Sequence, residues 1–194
     1  MPNDTSNRML LTETILPQAP EDIFEQIVNF RELMMMYNSA IREVTTKLEI
    51  LNDELSLNNK GNPIQFIKSR VKKPSSIAKK LQKLEKEITV DSIMTSLNDV
   101  AGIRVISSFI DDVYKIADML VKQDDVTLIQ AKDYIKNPKP NGYRSYHLII
   151  EIPVFFSEKK QNVRVEIQIR TVAMDFWASL EHQVKYKKDL QGAE

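Results

Sequence analysis

Glu166 lies in the middle of the segment 163–171, VRVEIQIRT, where apolar and polar residues alternate. In an extended strand successive side chains point to opposite faces. Val163, Val165, Ile167 and Ile169 therefore share one face, and Arg164, Glu166, Gln168 and Arg170 share the other. A solvated edge strand alternates in the same way, but this one runs directly into the aromatic segment AMDFWASLEH. That context suits an active-site floor on which Glu166 is a metal ligand or a base. A second carboxylate, Asp99, stands just before the apolar stretch of NDVAGIRVISSF. Hard divalent cations take one or two protein carboxylates and leave the rest of their shell to substrate phosphates, so Asp99 is suited to magnesium; a lone Asp there would also serve as a turn former. Arg104, inside that apolar stretch, needs an anion, a carboxylate or a flat ring to lie on.

Cations surround these acids in the sequence. Residues 68–86 hold eight basic side chains against the single acid Glu85. Ser75 and Ser76 follow Pro74 and precede Ile77, Leu81, Leu84 and Ile88, which predicts a helix starting there with a serine cap. Arg70, Lys72 and the free amides of that helix start would converge on an anion, with Lys79 and Lys80 one turn in. A solvated lysine face is the alternative, though it explains Arg70 and Lys72, which precede the helix, less well. Residues 130–146, QAKDYIKNPKPNGYRSY, form a stiff basic loop with tyrosines, suited to placing cations on phosphates and one ring on a base; a loop tyrosine can equally cover a core edge. The chain has neither a GxxxxGK[ST] loop nor a GxGxxG turn. Two acids for a metal plus dispersed cations for phosphates are the components of phosphoryl-type transfer without a P-loop.

Composition narrows the alternatives. Lys plus Arg number 27 and Asp plus Glu 27, so no whole-molecule field attracts nucleic acid or anionic lipid and any basic site is local. The absence of cysteine excludes disulfides, thiolate nucleophiles and Cys–zinc centres. With only His147 and His182, a histidine-rich metal box is not expected. No charged-then-apolar leader opens the sequence and no apolar run is long enough to span a bilayer, so a cytoplasmic location without membrane contact is expected.

The elements that must position these residues follow from periodicity. Residues 1–20, with Pro2, Pro17 and Pro20, read as a loose arm. Over 21–58 the apolar positions Ile23, Ile27, Phe30, Met34, Tyr37, Ile41, Val44, Leu48, Leu51 and Leu55 step by four and three, a heptad seam on one long helix that packs on the domain or on a second subunit. It should stop within 58–63, where Asn, Gly and Pro gather. Further helices are expected over 90–97, 112–122 and 172–188, and strands near 102–109, 126–131, 146–154 and 163–170. The predicted fold is α+β: a mixed, mostly antiparallel sheet of about five strands flanked by helices, with the long helix in front and a catalytic domain over 62–190.

The stretches RVKKPSSIAKK, NDVAGIRV, DYIKNPKPNGYRSYH and VEIQIRTVAMDFWASLEH, in that order, resemble the synthetase domain of the RelA/SpoT superfamily. The similarity covers about 62–187, and the short chain looks like a small alarmone synthetase. The resemblance implies a nucleotidyltransferase-like fold and transfer of the β,γ-pyrophosphate of ATP to the 3′-hydroxyl of GTP or GDP, with Mg2+ as cofactor and a homotetramer as the assembly. RNA is not expected to be needed for activity. Carried over by motif, Arg70 and Arg104 would hold adenine between guanidinium planes, and Lys72, Ser76 and Lys80 would meet the ATP phosphates. Asp99 and Glu166 would be the catalytic, metal-binding acids, with Glu166 near the attacking hydroxyl. Tyr143 would stack on guanine, with Lys132, Lys139, Arg144 and His147 on the acceptor side near its phosphates and Gln168, Arg170 and Glu181 lining the same side. Where one subtype is activated by product at a phenylalanine, Phe66 matches that position, but Gln65, Lys68 and Asp175 depart from its glutamate, threonine and asparagine, so product activation is expected to be weak or absent. The alternatives are a catalytically silent guanine-nucleotide or RNA-binding regulator, and nucleotidyl transfer on the same scaffold.

Overall fold

The computed structural model describes the backbone of residues 20–58 and 62–191 and the side chains of 24–57, 62–181, 183 and 184. The loose arm expected over 1–20 falls almost wholly outside that range. The order of elements is α1 (Pro20–Asn58), β1 (Ile64–Val71), α2 (Pro74–Lys83), α3 (Val90–Ser96), β2 (Ala101–Ser107), α4 (Ile110–Val121), β3 (Thr127–Asp133), β4 (Tyr146–Phe155), β5 (Lys160–Thr171) and α5 (Val172–Gln191). The five strands form one sheet in the order β1-β2-β5-β4-β3. Only the central β2–β5 pair is parallel, as expected for a mixed, mostly antiparallel sheet.

Apolar alternation decides which face is core. On β5, Val163, Val165, Ile167 and Ile169 are buried beside Ile103 and Val105 of β2 and Leu148, Ile150, Ile152 and Val154 of β4. Two helices cover this face, α1 crossing four strands and α4 presenting Val113, Ile116, Ala117 and Leu120. The α1 seam is therefore satisfied within the chain. Its buried stripe is also wider than two heptad positions, since Leu33, Met36 and Ala40 are buried alongside Tyr37, Ile41, Val44, Leu48, Leu51 and Leu55. A helix lying on a sheet needs such a broad apolar face, whereas a coiled coil needs only a narrow one. The start of the seam does not pack: Ile27 is exposed, as is the neighbouring Phe24. Ile23 lies outside the described side chains.

Two local expectations are corrected. The helix after the basic stretch has no serine cap: Lys73 is the N-cap, in extended conformation and without a side-chain bond, and Pro74 occupies the first turn. Proline's fixed φ is already helical and its missing N–H needs no partner at that position, so the helix begins before Ser75 and Ser76, both exposed. Residues 64–71 form a strand that periodicity did not single out. As an edge strand β1 is largely exposed, and a bulge between Ile64 and Phe66 interrupts its alternation.

The basic loop between β3 and β4 is tightly organised. Tyr134 N–H donates to Ser145 O at 3.0 Å, and Gly142 N–H donates to Lys139 O at 2.8 Å. Asp133 accepts from the amides of Ile135 and Lys136, both at 2.9 Å, and from the Tyr114 hydroxyl at 3.0 Å. Gly142 has φ of 79°, and a Cβ there would stand 3.2 Å from Trp177 Nε1, so both backbone and space require glycine. Trp177 Nε1 donates to Asn141 O at 3.3 Å, which fastens the loop tip to α5.

Leu48, fully buried between α1 and the sheet, tests this arrangement. Leu48→Ala should cost about 2–5 kcal/mol in denaturant unfolding, and Ile27→Ala, at an exposed seam position, less than about 0.5. Equal losses would show that α1 packs along its whole seam.

Candidate active site

Strand register brings the predicted residues onto the face opposite the core. Arg70 pairs with Gly102 and Lys68 with Arg104; Gly102 in turn pairs with Glu166 and Arg104 with Gln168. Across β4 and β3, Gln168 pairs with His147 and His147 with Lys132. Directly opposed residues on neighbouring strands share a face, so one polar row runs across the whole sheet. Lys68, Arg70, Asp99, Arg104, Glu166 and Gln168 line a cleft of about 270 Å³ on this row. Gly102, between Arg70 and Glu166, leaves its floor open: the only atom near a Cβ placed there would be Arg70 O, at 3.8 Å. A larger apolar groove of about 660 Å³, between α1, α3 and the β4–β5 turn, contains none of these groups.

Asp99 is the centre of one cluster of charges. Its Oδ2 accepts from Lys72 Nζ at 2.5 Å and Lys80 Nζ at 2.7 Å, and its side chain is 22 % exposed. Lys72 is held in reach because its amide donates to Val100 O at 2.8 Å, extending the β1–β2 pairing past Val71. Lys80 reaches from the last turn of α2. Burial of the Asp99 carboxyl favours its neutral form, but the bonds and charges of the two lysines outweigh burial and hold it below the usual carboxylate range. Asp99 Oδ1 is buried with no protein partner.

Glu166 heads a second network. Gln168 Nε2 donates to its Oε2 at 2.9 Å, and His147 Nδ1 stands 3.6 Å from its Oε1. Burial again opposes ionisation, and His147 and Gln168 overcome it, so Glu166 is also held below the usual range, against a smaller repulsion from Asp99. His147 Nε2 meets the Tyr143 hydroxyl at 2.8 Å, and that hydroxyl accepts from Arg170 Nη2 at 2.7 Å. Arg170 Nη2 also donates to Gln168 Oε1 at 2.5 Å. The imidazole tautomer sets which of Tyr143 Oη and His147 Nε2 donates to the other, while Nδ1 faces Glu166. Arg170 lies 5.0 Å from the centre of the Tyr143 ring, and Lys139 4.9 Å from it.

The predicted residues thus divide by place. Asp99, Lys72 and Lys80 form one cluster; Arg70, Arg104, Glu166 and Gln168 share the cleft; Tyr143, His147 and Arg170 form the chain leading to Glu166. His147, expected near acceptor phosphates, stands between Tyr143 and Glu166. Glu181, expected to line the acceptor side, accepts from the Asn141 amide at 2.9 Å and anchors the loop. Lys132 is exposed on the polar row, and Arg144 and Ser76 are exposed on neighbouring segments. Sequence reasoning treated Asp175 only as a departure from the product-activated pattern. Its Oδ1 accepts from Arg170 Nη1 at 3.1 Å and is ion-paired with Arg104 Nη1 at 3.2 Å. The two unpartnered arginines of the polar strands were the available signal, because a half-buried guanidinium requires a counter-charge nearby.

This arrangement suits a reaction between two anionic substrates: cations on one side, a short relay onto a carboxylate on the other, and an open floor between. Residues 69–191 match the region found in RelA / SpoT proteins. The chain belongs to that family. Among curated RelA/SpoT relatives, the GTP pyrophosphokinase YwaC of Bacillus subtilis (strain 168) is 44% identical over 167 residues, 86% of this chain and 80% of that one. The crystal structure of small alarmone synthetase 2 from Bacillus subtilis superposes with a TM-score of 0.74 at 42% identity, covering 83% of this chain and 82% of that one. Small alarmone synthetase 1 from Bacillus subtilis, bound to its product pppGpp, gives 0.74 at 36% identity, covering 82% of each. The family match takes in β2, β5 and the loop before β4, the segments that carry the site.

Asp99 and Glu166 both have folded-state values depressed from their ordinary 3.8 and 4.5, so their stabilisation is complete above those values and is lost as pH falls through the depressed ones. The melting temperature should stay level from about pH 7 to pH 5 and fall below about pH 4. Replacing both acids, Asp99→Asn with Glu166→Gln, should make that fall shallower in thermal melts across pH. An equally steep fall in the double variant would mean that the two acids contribute nothing to it.

Proposed function

We propose that this RelA/SpoT family member transfers the β,γ-pyrophosphate of ATP to the 3′-hydroxyl of GTP or GDP, releasing AMP and forming pppGpp or ppGpp. The observation that carries this reading is the single open cleft in which Asp99 and Glu166 share a floor with Arg70 and Arg104, next to the Tyr143–His147 relay. The GTP pyrophosphokinase and pppGpp-bound relatives support it. On the donor side, Arg70 and Arg104 hold the adenine ring between flat cations, and Lys72, Ser76 and Lys80 take the phosphates. On the acceptor side, Tyr143 stacks on guanine while Lys132, Lys139 and Arg144 neutralise its phosphates.

A ribose hydroxyl is a weak nucleophile at neutral pH. Glu166, ionised and oriented by Gln168 and His147, is the group suited to accept its proton. A magnesium ion fits the donor set: Asp99 Oδ1 is buried without a protein partner, and Asp99 and Glu166 supply two hard carboxylates. Among the described residues no cluster of three or more His, Cys, Asp or Glu could hold a metal, which agrees with an ion whose remaining ligands are phosphates and water. When bound, it neutralises phosphate charge and makes the phosphorus more electrophilic.

The enzyme works in the cytoplasm as a homotetramer. In support, no described helix is long and apolar enough to cross a membrane, and exposed apolar side chains remain on the first turns of α1 and along α5, including Phe24, Ile27, Phe176 and Trp177. Product activation is weak or absent: Phe66 is exposed with Lys68 Nζ 4.9 Å from its ring centre, and Gln65, Lys68 and Asp175 depart from the responsive pattern.

Incubation with ATP, GTP and magnesium should give AMP and pppGpp in one chromatogram; pyrophosphate release without AMP would replace the proposal with nucleotidyl transfer. Glu166→Gln should lower kcat by about 10²–10⁴ while nucleotide dissociation constants change little. A wild-type rate in that variant would remove Glu166 from the chemistry.

A further inference from the structure

Asp175 joins the cleft to the side-chain chain that leads to Glu166. It sits in the first turn of α5 with a side chain 15 % exposed, and one of its oxygens, Oδ1, accepts from Arg170 on β5 and is ion-paired with Arg104 on β2. Arg104 reaches into the open cleft, whereas the Arg170 side chain is only 4 % exposed. The Nε of each guanidinium is buried without a partner, so the shared carboxylate oxygen is a principal tie on both. On its other arm Arg170 donates to the Tyr143 hydroxyl and to Gln168, and both of these lead to Glu166.

We propose that Asp175 is a positioning residue that couples the donor and acceptor sites, so that donor binding at Arg104 tightens acceptor binding at Tyr143. The inference rests on the donor and acceptor assignments of the proposed function. Its physical basis is competition for one oxygen. Two cations sharing a single carboxylate oxygen each hold it less strongly than one alone. A nucleotide that engages Arg104 draws it from Asp175 and leaves the carboxylate to Arg170. A guanidinium is a rigid planar fork, so fixing Nη1 on Asp175 also fixes Nη2 on Tyr143 and Gln168. The acceptor ring's platform and the amide holding Glu166 are then set before the acceptor arrives. Linkage makes the effect reciprocal, so acceptor binding tightens donor binding by the same factor.

The test is calorimetric titration of GDP into the protein with and without saturating α,β-methylene ATP, which cannot transfer its pyrophosphate. In the wild type the analogue should lower the GDP dissociation constant by about 5-fold or more. Asp175→Asn, close in shape but uncharged, should reduce that factor to less than about 2, and Asp175→Glu, which keeps the charge, should retain most of it. A role confined to fold stability would lower the melting temperature of the Asn variant and leave the factor unchanged. Wild-type coupling in Asp175→Asn, or no coupling in the wild type, would overturn the proposal. Failure of the functional reading itself appears elsewhere, as wild-type protein that makes no AMP from ATP and GTP.

Discussion

Charge that is half removed from water must be neutralised locally, and this requirement organises the polar face of the sheet. Asp99 and Glu166 lie on one floor, where burial favours the protonated form of both and repulsion from Asp99 adds to it at Glu166. Each stays ionised because neighbours outweigh those costs: two lysines at Asp99, and His147 with Gln168 at Glu166. Arg104 and Arg170 have the opposite problem, two like charges sharing one region, and Asp175 stands between them. Each buried charge thereby specifies where a partner must be, and the partners come from β1, α2, β4, β5 and α5. The site is consequently sensitive to the placement of nearly every element around it.

That placement is held by the other face. A sheet whose central pair is parallel needs cover over its buried strands, and α1 and α4 supply it with fully buried Leu48, Ile116 and Leu120. The 39-residue length of α1 lets one rigid element span several strands. Toward the cleft α2 contributes Lys80 and the start of α5 contributes Asp175, and the floor stays open where Gly102 lacks a side chain. The loop that carries Tyr143 is fixed at both ends of its span, by Asp133 near β3 and by Trp177 and Glu181 of α5 near its tip. An aromatic platform held in this way loses less conformational freedom on stacking with a base.

Much of this was legible from local pattern. The alternation of VRVEIQIRT identified a one-sided strand, and Val163, Val165, Ile167 and Ile169 are buried while Arg164, Glu166 and Gln168 are not. The α4 stripe and the four strands read from periodicity are present within a few residues. Less was legible where exposure erased the pattern. The edge strand β1 is polar on much of both faces and bulged, so residues 64–71 gave no period, and Arg70 could be placed only as preceding a helix. The serine cap failed for a different reason: Pro74 is a stronger helix-start signal at that spacing than either serine after it.

The sequence by itself determined which residues could do most of the chemistry and, on the strands with a visible period, on which side they lie, because side-chain alternation is a property of the chain at a range of two residues. It also determined membership in the RelA/SpoT family, through motifs that are contiguous stretches. Only the tertiary structure decided who meets whom. The parallel register of β2 on β5 sets Gly102 opposite Glu166, and the packing of α5 brings Asp175 to Arg104, 71 positions away in sequence, as well as to Arg170. His147 becomes a support for Glu166 through the β4–β5 register. These contacts depend on strand order and helix packing, which the whole core fixes together, so no local period could carry them.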